Sequence, residues 1–202
     1  DTILNLGLNQ TTLAALIRHT GNERFGYDAW RRFIQLFGKV ALGVPDALFD
    51  EQFEVVKSRV GVKQDVMLGA DELREIGSRF LQVVQRHTGQ PFPADPYEQL
   101  EIAIKAVFNS WTGKRAIDYR REFKITPAMA NGTAVNVVAM VYGNMGNDSA
   151  TGVGFTRNPA TGENKFFGEF LVNAQGEDVV AGVRTPRPID ELKDVMPKAY
   201  QE

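Results

Sequence analysis

Thr133-Ala134-Val135-Asn136-Val137-Val138-Ala139-Met140-Val141-Tyr142 is the stretch on which the reading of this chain turns. It is rich in β-branched residues, nearly continuous in apolar character, and too apolar to face water on either side, which predicts a central strand. Around Asn131-Gly132, just before it, the hydrophobic period changes. Downstream, Gly143-Asn144-Met145-Gly146-Asn147-Asp148 is a turn cluster. A second strand is predicted over 152–157, and Asn158-Pro159-Ala160-Thr161-Gly162 forms the next turn. A third strand over 165–174 alternates Phe167 and Glu169 against Phe166, Gly168 and Phe170. A fourth covers 179–184, and a final helix runs from 189 to 202.

Upstream of that stretch the spacing is helical. Thr11 or Thr12 can cap a helix ending near Thr20, where Gly21 stops it. From 22 to 43 the apolar residues Trp30, Phe33, Ile34, Phe37, Val40 and Ala41 recur at three and four. Pro45 can open the next helix, with Phe49, Phe53, Val56 and Val60 inward. Asp71 is the expected cap of a helix over 71–87 that turns Leu73, Ile76, Phe80, Val83 and Val84 to the core. Gly89-Gln90-Pro91-Phe92-Pro93 cannot continue it. One more helix is predicted over 95–121, with Tyr97, Leu100, Ile104, Val107, Phe108 and Trp111 on one face. These aromatic stripes read as helix-packing core, since an amphipathic helix must bury that face. Helices first and an antiparallel meander afterwards is the α+β signature. The helical half is expected to be well packed and the carboxy-terminal part looser.

Composition narrows the chemistry. The 202 residues carry a formal charge of −2, with 43% apolar and 24% charged residues. No bulk field draws nucleic acid or an anionic membrane, so phosphate chemistry must rely on local groups. The absence of cysteine removes disulfides, zinc–thiolate centres and a thiol nucleophile. It suits a reducing, cytoplasmic setting and does not exclude an organelle. No apolar run reaches the roughly 20 residues of a membrane span. The amino terminus has neither an initiator Met nor a signal-peptide pattern, and reads as part of something longer. His19 and His87 both sit near helix ends without a partner at ligand or triad spacing. No metal-ligand set and no catalytic residue is assigned.

The chemically informative run is Gly168-Glu169-Phe170-Leu171-Val172-Asn173-Ala174-Gln175-Gly176-Glu177-Asp178-Val179-Val180-Ala181-Gly182-Val183-Arg184. It sets Glu169, Asn173, Gln175, Glu177, Asp178 and Arg184 among strands expected to be half buried, where polar groups need partners or a ligand. Gly168, Gly176 and Gly182 leave room for another backbone, a phosphate or a sugar. The same residues also read as a plain hairpin turn, Gln-Gly-Glu-Asp, with solvated charges.

Several blocks resemble one family. Asp1-Thr2-Ile3-Leu4-Asn5-Leu6-Gly7-Leu8-Asn9 is similar to the segment after the Met-Pro-Gly-Met-Met loop of pyruvate, phosphate dikinases. The blocks 132–137, 140–146, 151–163 and 168–186 resemble the stretches that follow in that family. The resemblance implies an enzyme converting ATP, phosphate and pyruvate to AMP, pyrophosphate and phosphoenolpyruvate through a phosphohistidine, with Mg2+ and a monovalent cation. It implies a helical subdomain followed by part of an ATP-grasp fold. Residues 1–9 would follow the phosphate-covering loop, 10–95 would be a helical insertion, 96–131 part of the first grasp lobe, and 132–202 part of the second. Met140, Val141 and Tyr142 would lie against adenine, Glu177 would face the ribose, and Asp1 and Thr2 would abut the phosphate-covering loop. Partners would be ATP and the remaining domains, including a swivelling phosphohistidine domain, in a homo-oligomer. The family usually reads Val-Gln-x-Met-Val, whereas Val138 stands here for the glutamine. The family's phosphate-binding cations, magnesium ligands, phosphohistidine and pyruvate barrel match nothing in this chain, so no complete dikinase reaction is expected of it alone. A phosphoenolpyruvate synthase-like ATP domain is the nearest alternative, but that family usually carries Gly-Leu-Gly-Glu where Ala174-Gln175-Gly176-Glu177 stands. Other classes are a non-catalytic nucleotide-binding homologue, or an interaction module built on 10–95.

Overall fold

The computed structural model describes residues 2–180 and 184–201. The chain divides into two compact units, Asp1–Ala139 and Met140–Glu202. The architecture is α+β: helices α1 to α6 in the first unit, then a small antiparallel sheet with short helices in the second.

The first unit follows its hydrophobic periods. Helices α1 (Gln10–Thr20), α2 (Glu23–Val40), α3 (Asp46–Val60) and α4 (Ala70–Thr88) fall within a few residues of expectation. Phe25, Trp30, Phe33, Ile34 and Phe37 of α2 are buried, as are Leu73, Ile76, Phe80, Val83 and Val84 of α4. Phe92, from the proline-rich turn after α4, packs edge-on against Phe33 and Phe37, with ring centroids 5.4 and 5.3 Å away. Such aromatic pairs add about 0.5–1.5 kcal/mol each beyond their buried area. Two helical glycines permit the close approach. A Cβ on Gly38 would stand 2.6 Å from Phe49 Cζ, and one on Gly77 would stand 3.0 Å from Trp30 Cδ1.

The caps differ from expectation. Asn9, rather than Thr11 or Thr12, opens α1: its Oδ1 accepts from Thr12 N at 2.8 Å, and Asn9 N donates to Thr12 Oγ1 at 2.8 Å. Helix α4 starts after Gly69, whose N–H is taken by Glu72 Oε2 at 3.0 Å, so Asp71 is not the cap. In both, the third helical residue reaches back to satisfy an otherwise orphaned donor; the exchange is reciprocal at Asn9, whereas Gly69 has no side chain to return a bond.

The helix predicted over 95–121 is two. Helix α5 (Pro96–Ser110), capped by Asp95, ends before Gly113, and α6 (Lys114–Glu122) restarts after it. The predicted apolar face is correspondingly incomplete: Tyr97 is 81% and Phe108 52% exposed, while Gln99 and Ala103 are the buried positions of α5. Gln99 is fully buried. Its Oε1 accepts from Gly7 N at 3.0 Å, and its Nε2 donates to the carbonyls of Leu8 and Pro93, both at 2.9 Å. One amide thus ties the amino-terminal segment and the Pro93 turn to α5. Gln99→Ala is expected to cost about 1–3 kcal/mol in urea denaturation, because it strands buried backbone groups. An unchanged midpoint would mean that water replaces the amide.

The largest correction concerns 133–142. Among the described residues this segment forms no strand, and Val137, Val138 and Val141 are 65, 81 and 87% exposed. Strand propensity is realised only against a neighbouring strand, and the sheet leaves this segment unpaired. That sheet has the order β1-β2-β3, with β1 (Ala150–Phe155), β2 (Phe167–Val172) and the two-residue β3 (Arg187–Pro188), all antiparallel. Register pairs Ala150 with Val172 and Phe155 with Phe167. The intervening turn is set by Asn158, whose Oδ1 accepts from Ala160 N at 2.9 Å.

The predicted fourth strand is also corrected. Val179 and Val180 belong to a short helix, α7 (Gly176–Val180), and residues 181–183 of that prediction lie outside the described residues. The expected final helix is broken into a 3-10 turn (Ile189–Glu191), α8 (Leu192–Val195) and α9 (Pro197–Gln201). Pro197 has no N–H to continue the ladder. Among the described residues of the second unit, Phe170, Leu171, Ala174 and Val179 are buried, and Leu171, Ala174 and Val179 form one apolar cluster.

Candidate functional site

Strand β2 ends at Val172, and Asn173 adopts a left-handed backbone with φ 51°. Asparagine tolerates that region better than most residues. The turn redirects the chain into Ala174, Gln175 and α7. Arg184 fixes it from outside by donating from Nη2 to Val172 O at 2.8 Å and from Nη1 to Asn173 O at 3.0 Å. Its charge therefore serves the turn.

Helix α7 carries Glu177 and Asp178 in its first turn. Asp178 Oδ2 accepts from Gln175 N at 2.9 Å, the reach-back half of a capping box. Val179 is buried against the sheet's small core, and Glu177 is half-buried. The stretch Gln-Gly-Glu-Asp is thus a helix start rather than a hairpin turn.

The segment before Gly143 meets this helix through a compact set of bonds. Ala174 N donates to Gly143 O at 2.8 Å, and Thr151 Oγ1 donates to Ala174 O at 2.7 Å. Gln175 Nε2 donates to Asn144 Oδ1 at 3.1 Å, and the two side chains belong to residues only 1% and 2% exposed. Gly143 is required here on steric grounds. A Cβ would fall 1.9 Å from Thr151 Oγ1 and 2.4 Å from Ala174 O.

Met140, Val141 and Tyr142 precede this junction. Met140 and Tyr142 are half-buried, and burial pushes the Tyr142 phenol above its ordinary value. Val141 is exposed. Among the described residues, the backbone groups of Met140 and Val141 make no intramolecular hydrogen bond. A backbone free of such bonds, leading into the junction at Gly143 and Asn144, can exchange hydrogen bonds with the edge of a planar heterocycle while side chains cover its face.

Of the residues expected to form the site, Met140, Val141, Tyr142 and Glu177 fall in the second unit. Thr2 is exposed and belongs to the first unit, while Asp1 lies outside the described residues. Glu169 is exposed on β2 rather than half-buried. The space at Gly168 is taken by the neighbouring strand, since a Cβ would come within 2.7 Å of Val153 O. At Gly176 the space is open, the nearest atom being Thr151 Cγ2 at 4.0 Å, and Gly182 lies outside the described residues. Sequence reasoning singled out Gln175 but missed Asn144 and Thr151. Only their placement opposite 174–175 marks them, although a Gly-Asn pair closing an apolar run was a legible hint.

Among the described residues no three His, Cys, Asp or Glu side chains converge as a metal centre requires, and no helix is long and apolar enough to cross a membrane.

Comparison with known proteins agrees with the sequence blocks. The family described as pyruvate phosphate dikinase, AMP/ATP-binding domain, matches residues 1–196. Pyruvate, phosphate dikinase of Entamoeba histolytica is 60% identical over 204 residues, covering all of this chain and 23% of the relative. Pyruvate, phosphate dikinase 2 of Zea mays is 55% identical, and pyruvate, phosphate dikinase 1, chloroplastic, of Oryza sativa subsp. japonica is 54% identical. Both cover the whole chain, and respectively 22% and 21% of the relative. The chain spans less than a quarter of the length of these relatives.

Proposed function

Because the chain belongs to the pyruvate phosphate dikinase AMP/ATP-binding domain family, we propose that it is the nucleotide-binding region of an enzyme converting ATP, phosphate and pyruvate to AMP, pyrophosphate and phosphoenolpyruvate. In this reading Met140 to Tyr142 take the adenine, backbone groups reading its edge while Met140 covers its face. Glu177 accepts hydrogen bonds from the ribose hydroxyls. Asp1 and Thr2 border the loop over the phosphates. The fold positions are parts of an ATP-grasp domain with the helical segment 10–95 as an insertion. Mg2+, a monovalent cation, the phosphohistidine-bearing domain and homo-oligomeric assembly belong to the whole enzyme. The chain alone binds nucleotide without completing phosphoryl transfer, which depends on positioned cations that neutralise developing charge.

The observation that carries this reading is the junction of 143–144 with 174–175. It anchors an uncommitted backbone at Met140 and Val141 to the short helix bearing Glu177. The test is calorimetric titration of the 202-residue chain with ATP, with and without Mg2+, beside Glu177→Ala. The expected result is weak binding by the parent, reduced about tenfold or more in the variant, as for loss of a hydrogen bond to a charged group. No heat of binding in the parent would sink the nucleotide reading for this chain. Pyruvate-dependent AMP formation by the chain would overturn its inactivity.

A further inference from the structure

Helix α7 is only five residues long. A helix of that length is not stable by itself, so the position of Glu177 is set by what fastens it. The capping bond from Gln175 N to Asp178 and the burial of Val179 hold the helix to its own turn and sheet. The fastening to the preceding segment is different. It includes the backbone bond between Ala174 and Gly143 and the side-chain bond between Gln175 and Asn144. The latter joins two buried amides from residues 31 apart in sequence. Buried amides are costly unless satisfied, and deleting one partner strands the other. Such a pair is poorly explained as a simple stabiliser. An apolar pair of equal volume would serve a small core as well or better. What an amide pair adds is a single register, because only one sideways alignment closes the bond.

We propose that the Gln175–Asn144 amide pair is a positioning device that fixes Glu177 relative to the Met140–Tyr142 segment, and so sets selectivity for the ribose of the bound nucleotide. This inference rests on the reading of Glu177 as the ribose acceptor. Recognition of a hydroxyl by a carboxylate tolerates only about 0.5 Å of misplacement. A helix allowed to slide along β2 therefore keeps its charge but loses its discrimination. Contacts made by the adenine segment itself would be less affected. Neither Gln175 nor Asn144 touches the nucleotide in this scheme; both act through Glu177.

The experiment uses the full 202-residue chain, with ATP and 2′-deoxy-ATP as the paired probes. The parent is expected to prefer ATP by about tenfold, the worth of a hydrogen bond to a charged acceptor. Gln175→Leu, which keeps volume and removes the bond, is expected to bring that ratio close to one. Asn144→Ala should give the same ratio, and the double variant no further change, because the two amides act as a unit. In a Glu177→Ala background the Gln175→Leu change should leave the ratio untouched. Circular dichroism and the urea midpoint establish that each variant is folded. Should Gln175→Leu fail to fold, the milder Asn144→Ser tests the same bond.

A folded Gln175→Leu that keeps the parent's preference overturns the positioning role and leaves the nucleotide reading standing. A further loss of selectivity in the Glu177→Ala background overturns it too, since the pair would then act elsewhere. Equal affinity of the parent for both probes means there is no ribose selectivity to set. No binding of either probe by the parent removes the nucleotide reading and this inference together.

Discussion

Phe80→Ala is expected to destabilise the helical unit by about 3–5 kcal/mol, seen as a shift of the urea midpoint followed by the fluorescence of Trp30 and Trp111. Phe80 is fully buried on α4. Its ring lies 5.0 Å from that of Phe49, inclined at 72°, and 6.4 Å from that of Phe53. The size of the effect depends on whether the surroundings can collapse into the space. Phe49 is poorly placed to do so, because its ring tip is seated on Gly38 of α2, where even a methyl group would not fit. The cavity therefore persists and the loss falls in the upper part of the range. Against a total stability of about 5–15 kcal/mol, about a quarter or more disappears with one ring. A loss below about 1 kcal/mol would show that α3 and α4 repack freely, and that the Gly38 seat is not a constraint.

Asp28→Ala is expected to cost a similar amount, about 3–5 kcal/mol, for an electrostatic reason. Asp28 and Arg31 are 4% and 5% exposed. Arg31 Nε donates to Asp28 Oδ1 at 2.9 Å, and Arg32 Nε donates to Oδ2 at 3.1 Å. Arg31 Nη2 lies 2.8 Å from the same Oδ1, yet forms no hydrogen bond of acceptable geometry, so that approach is coulombic. Asp65 helps from 3.6 Å, and the Phe53 ring lies 4.8 Å from the guanidinium carbon. Removing Asp28 leaves the buried Arg31 guanidinium with the more distant Asp65 as its nearby carboxylate, and that undercompensated charge carries the cost. The matched test is Asp28→Leu with Arg31→Met, which removes both charges and is expected to recover part of the loss. If the double variant is no better than Asp28→Ala, desolvated charge is not the cause. The same cluster restrains the 3-10 turn Asp65–Met67: Arg24 donates to Asp65 O and Leu68 O at 3.1 and 2.8 Å, and Lys57 stands 3.5 Å from Asp65. Asp28→Ala should therefore also raise amide exchange in that turn.

What the sequence by itself determined is the part of the molecule whose hydrogen bonds close locally. Helices α1 to α4, their buried faces and the stops at Gly21 and Gly89 follow from spacing and from glycine in left-handed caps. The β1–β2 hairpin was legible because its two strands flank one turn, and the family blocks identified the class of domain. The residues of the candidate site were legible only as members of those blocks. Their arrangement was not. Tertiary structure decided that the apolar run at 133–142 forms no strand, because a strand needs a partner and a helix does not. It chose Asn9 and Glu72 over nearby Thr and Asp as cap partners, a choice between groups of almost equal local merit. It made Gln99 a buried tie between segments more than 90 residues apart. It also set Asn144 against Gln175, turning an ordinary turn asparagine into a buried partner of the helix that carries Glu177. In each of these cases the deciding atom lies on a distant or competing element, which no period along the chain records.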